Sequence, residues 1–283
     1  LRRSSAASDV YKRQAYNHVF KNHYPDEERS AARPLKTSPC YSRLAELGAV
    51  FGSVYGWERA NWFAPKNYQL TESDLNRDDT LWNKNHSAPL ADGRIVEKNS
   101  FRRSNYFDFV GQECRHVQSS VGILDMSAFS KASVEGSDSE TWLNSILANK
   151  VPSKPGRIAL CHMLSLNGGV RAEFTVYRKS RNSFYLVFSG ATERHDWDYL
   201  NKLLPKNRSI NIQNITTQKG VFVIAGPKSR SLLQKLTDTS LDNEHFPWLT
   251  GKTVNIGYGI ADALRINFVG ELGWELHLSL IHI

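Results

Sequence analysis

The alternation of apolar and polar positions predicts short strands and helices that follow one another in mixed order. Apolar residues at steps of three and four predict a helix over 107–121, with Gly122 as its C-terminal cap. Period-two alternation predicts strands over 157–165 and 170–177, and the Asn-Gly pair between them predicts a hairpin turn. Hairpins interleaved with helices are typical of an α+β fold rather than of a doubly wound parallel sheet.

The same patterns predict elements on both sides of this hairpin. Further strands are predicted over 123–126, 130–135, 183–189, 221–225, 261–268 and 274–277. Further helices are predicted near 42–47, after an N-cap at Ser137-Asp138, over 192–204, and from Gly226-Pro227 onward. In the last strand, alternation places Glu275 on the face opposite Trp274 and Leu276.

Composition excludes several classes of function. The hydrophobic share of 40% and the aromatic share of 11% permit a sizeable core, but no apolar run is long enough to span a bilayer. The formal net charge of +8 is a mild excess spread along the chain, so nucleic acid binding is not expected. The three cysteines are far apart and form no Cys-x-x-Cys pair, which indicates a reducing compartment and no metal site.

Two carboxylates are the candidate site residues. Glu275 ends the motif GELGWE, and Glu173 lies in the strand after the hairpin turn, on one face with Arg171, Thr175 and Tyr177. A carboxylate fixed on a strand can accept paired hydrogen bonds from a flat, amidine-like edge such as that of a pteridine ring. The residues alone favour a plainer interpretation, in which both glutamates are solvent-exposed.

Three other motifs are interpreted as structural. Asp125 is expected to bind backbone amides. The segment 226–229 (GPKS) lacks the first glycine of a phosphate-binding loop and is interpreted as a helix start. His195 and Asp198 have helical spacing but no third ligand, so they are interpreted as a surface pair rather than half of a metal site.

Three segments in a fixed order change the interpretation of the carboxylates. Residues 121–127 (VGILDMS), 167–177 (NGGVRAEFTVY) and 270–275 (GELGWE) resemble the folate-binding aminomethyltransferase domain of the glycine cleavage T-protein type. The likeness is greatest to the copy of that domain fused to dimethylglycine and sarcosine dehydrogenases. Residues 24–63, with FGSVYGWERANWF at 51–63, resemble the end of the flavin module of those enzymes. The resemblance implies an incomplete T-protein-like α+β domain, preceded by the C-terminal tail of an FAD-dependent oxidoreductase module.

The resemblance also implies a reaction and roles for four residues. An upstream FAD domain would oxidise an N-methylated glycine, and tetrahydrofolate in this domain would capture the one-carbon unit as 5,10-methylenetetrahydrofolate. Glu173 would be the catalytic residue, Glu275 would hold the pteridine edge, and Ser189 and Tyr177 would complete the cofactor-binding set. The family usually has Asp at position 173 and Asn at position 189. The longer Glu reaches roughly an ångström further, and misplacement on that scale can cost about a hundredfold in rate.

The resemblance and the ends of the chain set the expected domain boundaries. Residues 9–14 (DVYKRQ) are what GATGTGTATAAGAGACAG encodes, and 278–283 (LSLIHI) are what its reverse complement encodes. Both resemble a sequencing adapter, so the chain is expected to be a fragment whose end segments lack stable packing. The expected divisions are 1–14 and 278–283 as adapter-derived, 15–65 as the end of the FAD-oxidoreductase region, 66–99 as a linker, and 100–277 as the folate-binding domain.

Alternative functions stay open at this point. The chain could be a non-catalytic relative, such as a pyruvate dehydrogenase phosphatase regulatory subunit. It could instead be a folate-binding module in tRNA or iron–sulfur maintenance, or a stand-alone aminomethyltransferase, and residues 24–63 argue against both. The expected partner is a small N-methylated glycine, without nucleic acid or membrane, in the bacterial cytoplasm or the mitochondrial matrix. The sequence predicts no oligomeric state, and it favours neither dimethylglycine nor sarcosine.

Overall fold

The fold is described from a computed structural model. The structure describes residues 24–25, 27–28, 32–71, 90, 92–207, 209–268 and 270–280. The chain divides into two compact units, one formed by 1–31 with 64–107 and the other by 32–63 with 108–283. Within the described residues, every named strand lies in the second unit.

The regular elements alternate between strands and short helices. The strands are β1 Ala49–Val54, β2 Trp57–Phe63, β3 Gly122–Asp125, β4 Ser130–Glu135, β5 Ile158–Leu164, β6 Val170–Ser180, β7 Ser183–Phe188, β8 Asn211–Asn214, β9 Lys219–Ala225, β10 Gly251–Ile256, β11 Gly259–Leu264 and β12 Gly273–Ser279. The helices are α1 Tyr41–Glu46, α2 Phe107–Ser119, α3 Ser139–Ile146, α4 Glu193–Lys202 and α5 Ser229–Leu233, with a 3₁₀ turn at Thr216–Gln218.

Antiparallel pairing joins these strands into two five-stranded sheets and one hairpin. The first sheet has the order β5-β6-β7-β4-β8, and the second sheet has the order β10-β11-β12-β9-β3. Strands β1 and β2 form the separate hairpin. One face of the first sheet packs in an apolar cluster with Leu143 of α3 and Leu200 of α4, and one face of the second sheet packs with Leu233 of α5 and Phe246.

The two sheets meet through their other faces. Tyr177 and Tyr185 of the first sheet share a buried cluster with Leu264 of the second sheet. Lys179 on β6 donates to Asp262 on β11 over 2.9 Å, and Lys219 on β9 donates to the same carboxylate over 2.7 Å. Apolar contacts and a charged network therefore hold the sheets face to face.

The α+β class and most predicted elements are confirmed. Strands β5 and β6 form the predicted hairpin around the Asn-Gly turn. The predicted cap at Gly122 is wrong, because α2 ends at Ser119 and Gly122 begins β3. A Cβ at Gly122 would lie 2.7 Å from the Val117 side chain, so close packing explains the glycine. Asp138 makes no side-chain cap bond at α3.

Some elements differ in position or were not predicted. Helix α5 begins at Ser229 rather than at Gly226. The hairpin β1–β2 and the strands β8 and β10 were not predicted, because none shows a clean alternation of apolar and polar residues.

The C-terminal strand continues into the segment that was expected to lack packing. Leu278 and Ser279 extend β12, and they pair with Gly220 and Lys219 of β9. The expectation of no stable packing is therefore wrong for these two residues, since backbone pairing can extend a strand whatever its sequence. The adapter origin of 278–283 stays a prediction, and residues 1–14 lie outside the described residues.

Candidate functional site

Glu173 and Glu275 line one cavity of about 470 Å³, which we call the carboxylate cavity. Glu173 comes from β6 of the first sheet and Glu275 from β12 of the second sheet, so the cavity lies where the sheets meet. Ser189, which follows β7, also lines it. The other lining residues include Trp57, Arg59, Met126, Phe129, Arg171, Thr175, Thr192, Asp196 and Phe268.

Glu173 occupies the exposed side of the cavity. Its side chain is 51% exposed, and its Oε2 lies 3.0 Å from Nε2 of His162. The register of the β5–β6 hairpin places His162 directly opposite Glu173, which explains the contact. An exposed contact of this kind holds its partners weakly, so the Glu173 carboxylate can turn toward a ligand.

Glu275 lies in the opposite environment. Its side chain is 7% exposed, and its Oε2 lies 3.2 Å from Nε2 of the completely buried His277. The other ring nitrogen of His277, Nδ1, lies 2.9 Å from the hydroxyl of Tyr185 on the first sheet. Burial lowers the pKa of His277, although the Glu275 carboxylate raises it in part. Burial raises the pKa of Tyr185 well above its ordinary value, so this phenol stays protonated.

A fixed cation lies beside Glu173 on the same face of β6. The guanidinium of Arg171 is 3.9 Å from the ring centroid of Tyr199, and its Nη2 is 2.9 Å from Nε2 of His195. Nδ1 of His195 is 2.9 Å from the buried carboxylate of Asp196, which also accepts the hydroxyl of Thr192 over 2.5 Å. Since Asp196 is buried on α4, this series of contacts anchors the Arg171 charge at the cavity wall.

Two donors at the cavity wall have no acceptor. Nε1 of Trp57 and Nε of Arg171 are buried, and neither has a hydrogen-bond partner among the described residues. Leaving a buried N–H without a partner costs about 1–3 kcal/mol. Both atoms have almost no solvent-accessible surface, so they do not mark positions that a molecule in the cavity would contact.

Ser189 and Tyr177 have different surroundings. The Ser189 hydroxyl oxygen accepts the amide of Ala191 over 3.2 Å, which leaves its hydrogen available for donation into the cavity. Tyr177 lies further along the face that carries Glu173, but its ring is buried between the sheets in a cluster with Leu264. Burial raises its pKa to about 12. The structure thus brings Glu173, Glu275 and Ser189 together and places Tyr177 in the core.

The motifs interpreted as structural are partly confirmed. Asp125 accepts the backbone amide of Ser127 over 2.9 Å, as expected. The pairing of His195 with Asp198 is wrong, because His195 contacts Asp196 while Asp198 accepts Lys202 over 2.6 Å. Among the described residues, no group of three His, Cys, Asp or Glu side chains could hold a metal ion.

Sequence reasoning missed four polar residues around the cavity. His162 could have been found from the hairpin register, and His277 from its position two residues after Glu275 on the same strand face. Asp196 and Tyr185 gave no local signal, because their partners depend on how helix and sheets pack. In the described ranges, no helix is both long and apolar enough to cross a membrane.

The fold and the cavity define a class of protein. It is an antiparallel two-sheet α+β domain with a carboxylate-lined pocket of small-molecule size between its sheets. Residues 40–282 match the family described as the GCVT N-terminal domain, and the chain belongs to that family.

The chain is similar to parts of much longer dehydrogenases. It is 35% identical over 255 residues to the mitochondrial dimethylglycine dehydrogenase of Mus musculus, a match that covers 90% of this chain and 26% of that protein. It is 28% identical over 270 residues to the mitochondrial sarcosine dehydrogenase of Homo sapiens, covering 90% of this chain and 29% of that protein. The chain therefore spans between a quarter and a third of the length of these relatives.

A solved structure shares the fold. The aminomethyltransferase T of the glycine cleavage system from Bartonella henselae superposes with a TM-score of 0.60 at 19% identity, covering 87% of this chain and 54% of that chain. The expected T-protein-like architecture is confirmed, and at this identity the likeness concerns the fold alone.

Proposed function

We propose that the carboxylate cavity binds tetrahydrofolate and that the chain is part of an FAD-dependent dehydrogenase of the dimethylglycine and sarcosine type. The observation that carries the proposal is that Glu173 and Glu275, about a hundred residues apart, line one cavity. The flat pterin edge carries adjacent N–H donors, which match a carboxylate acceptor such as Glu275.

The roles of the two carboxylates follow from their surroundings. Tetrahydrofolate supplies the amine nitrogens that take up the one-carbon unit as 5,10-methylenetetrahydrofolate. Glu275 would hold the pterin edge, and Ser189 would donate a hydroxyl nearby. The half-exposed Glu173 would orient the reacting amine, and its charge would stabilise a cationic iminium in the cavity. FAD would bind a preceding domain, in a bacterial cytoplasm or a mitochondrial matrix.

The first test measures binding of tetrahydrofolate to the 283-residue chain by calorimetry. Glu275→Gln should weaken binding by about tenfold to a hundredfold, because a charge-assisted hydrogen bond to the ligand is lost. Glu271→Gln is the matched control, since Glu271 lies in the same motif but is not among the residues that line the cavity. No binding by the unaltered chain, or equal losses in the two variants, would refute the proposal.

The second test separates binding from transfer in the full-length dehydrogenase. Glu173→Gln should keep the fold and the flavin-dependent oxidation but lower the yield of methylenetetrahydrofolate and raise free formaldehyde. Unchanged coupling of oxidation to the folate product would refute the role of Glu173. If the unaltered enzyme binds folate without any transfer, the regulatory alternative replaces the enzymatic one.

A further inference from the structure

A buried hydrogen-bond chain runs from the first sheet to Glu275. It begins at the hydroxyl of Tyr185 on β7, passes through both ring nitrogens of His277 on β12, and ends at Oε2 of Glu275. The two steps measure 2.9 Å and 3.2 Å. Tyr185 and His277 do not line the carboxylate cavity, whereas Glu275 does. These hydrogen bonds therefore connect the interior between the sheets to one wall of the carboxylate cavity.

The protons in this chain have one consistent arrangement. An ionised Glu275 can only accept, so Nε2 of His277 must carry a hydrogen, and a neutral ring then has a bare Nδ1 that accepts from Tyr185. A doubly protonated ring would add a cation near the ammonium groups of Lys131 and Lys219. The opposite arrangement would require a protonated Glu275 as the donor. The nearby lysines therefore disfavour an imidazolium, and when Glu275 is a carboxylate each donor in the hydrogen-bond chain points toward it.

This arrangement affects how the Glu275 carboxylate can bind a ligand. Among the described residues, His277 is the only hydrogen-bond donor to Glu275, and it occupies one of about four lone-pair positions. No other described residue donates to the remaining positions, and the bond to His277 favours one rotamer of the side chain. A carboxylate held in this way loses little rotational freedom when a ligand binds.

We propose that His277 and Tyr185 are positioning residues, which hold the Glu275 carboxylate in a single orientation for the N–H edge of a flat heterocycle. The inference rests on the proposed function for the identity of that heterocycle. Because Tyr185 and His277 belong to different sheets, the hydrogen-bond chain also makes the orientation of Glu275 depend on the contact between the sheets.

The test combines tetrahydrofolate binding with a double-mutant cycle in the 283-residue chain. His277→Leu should weaken binding by about tenfold, and Tyr185→Phe by a few-fold. His277→Gln should remain closer to the unaltered chain, because its side-chain amide can still donate near the position of Nε2. In the Glu275→Gln background, His277→Leu should cause no further loss beyond about twofold, since the residues act as one unit.

Two outcomes of the cycle would overturn the inference. One is unaltered affinity in the folded His277→Leu variant. The other is a loss of affinity from His277→Leu that is as large in the Glu275→Gln background as in the unaltered chain. Circular dichroism and urea midpoints identify variants that fail to fold, and the conservative Tyr185→Phe change keeps the ring in place if His277→Leu does not fold.

A spectroscopic measurement separates this inference from the proposed function. The ¹⁵N shifts of His277 at pH 7 should show the neutral Nε2–H tautomer, with the exposed His245 as reference and His277→Gln for assignment. An Nδ1–H tautomer or an imidazolium would overturn the inference. If the unaltered chain binds no tetrahydrofolate, or Glu275→Gln binds it equally well, the proposed function fails, and the tautomer alone decides on the hydrogen-bond chain.

Discussion

Asp262 lies in a charged network at the contact between the two sheets, bonded to Lys179 of the first sheet and Lys219 of its own sheet. Its side chain is 5% exposed, and Oδ2 accepts from both Lys179 and Lys219. Its Oδ1 accepts the hydroxyl of Thr253 over 3.0 Å. We predict that Asp262→Asn keeps the bond to Thr253 but leaves the two lysines without their anion.

The cost of this change can be worked from the exposure of the two lysines. The Lys219 side chain is 19% exposed, so losing its charge-assisted bond should cost about 1.5–3 kcal/mol. The Lys179 side chain is 37% exposed and can turn to water, which limits its share to about 0–1 kcal/mol. The free energy of unfolding of Asp262→Asn should therefore fall by about 1.5–4 kcal/mol.

Urea unfolding at pH 7 and pH 3 measures this loss. Lys219 and Lys179 outweigh the effect of burial and lower the pKa of Asp262, so its contribution is complete above about pH 4 and fades as pH falls through the folded-state pKa. Asp198→Asn is the control, since Asp198 is exposed and pairs only with Lys202 on its own helix, and it should stay close to the unaltered chain. A loss below about 0.5 kcal/mol at pH 7, or one that does not shrink at pH 3, would refute the reasoning.

Two further predictions concern other buried groups. Burial lowers the pKa of Lys131 from its ordinary 10.5 to about 8, so the unfolded chain binds the proton more tightly between these pH values. The free energy of unfolding should therefore rise from pH 8 to pH 10 by an amount that Lys131→Met removes, and parallel pH curves for the two proteins would contradict this. Burial raises the pKa of the Cys161 thiol to about 11, whereas Cys114 is exposed. A thiol reagent at pH 8 should label Cys114 quickly and Cys161 only after unfolding, and equal labelling rates would contradict the burial.

The strands that could be predicted are those with a strict alternation. In β6, Ala172, Phe174 and Val176 are buried on one face, and Glu173 lies on the other. In β12, Trp274 packs into the core of the second sheet while Glu275 faces the cavity. Where one face of a strand is buried, the side-chain period of two decides which residues point away from the core.

The parts that could not be predicted depend on contacts between distant elements. Trp57 reaches the carboxylate cavity from the β1–β2 hairpin, more than a hundred positions before Glu173. The cluster of Tyr185 with Leu264 requires the sheets to pack face to face, which no local pattern specifies. Gly122 shows a related failure, since a glycine near a helix end predicts a cap, yet here it serves close packing against Val117.

The surroundings of the two carboxylates explain why they would have different functions in one cavity. Glu275 is buried and hydrogen-bonded to His277, which restricts its orientation, as holding a ligand edge requires. Glu173 is half-exposed, and its contacts with His162 can exchange with water, as is needed for a charge that must meet a reacting group. The Glu that replaces the usual Asp is consistent with this division, because the longer side chain reaches both His162 across the hairpin and the cavity.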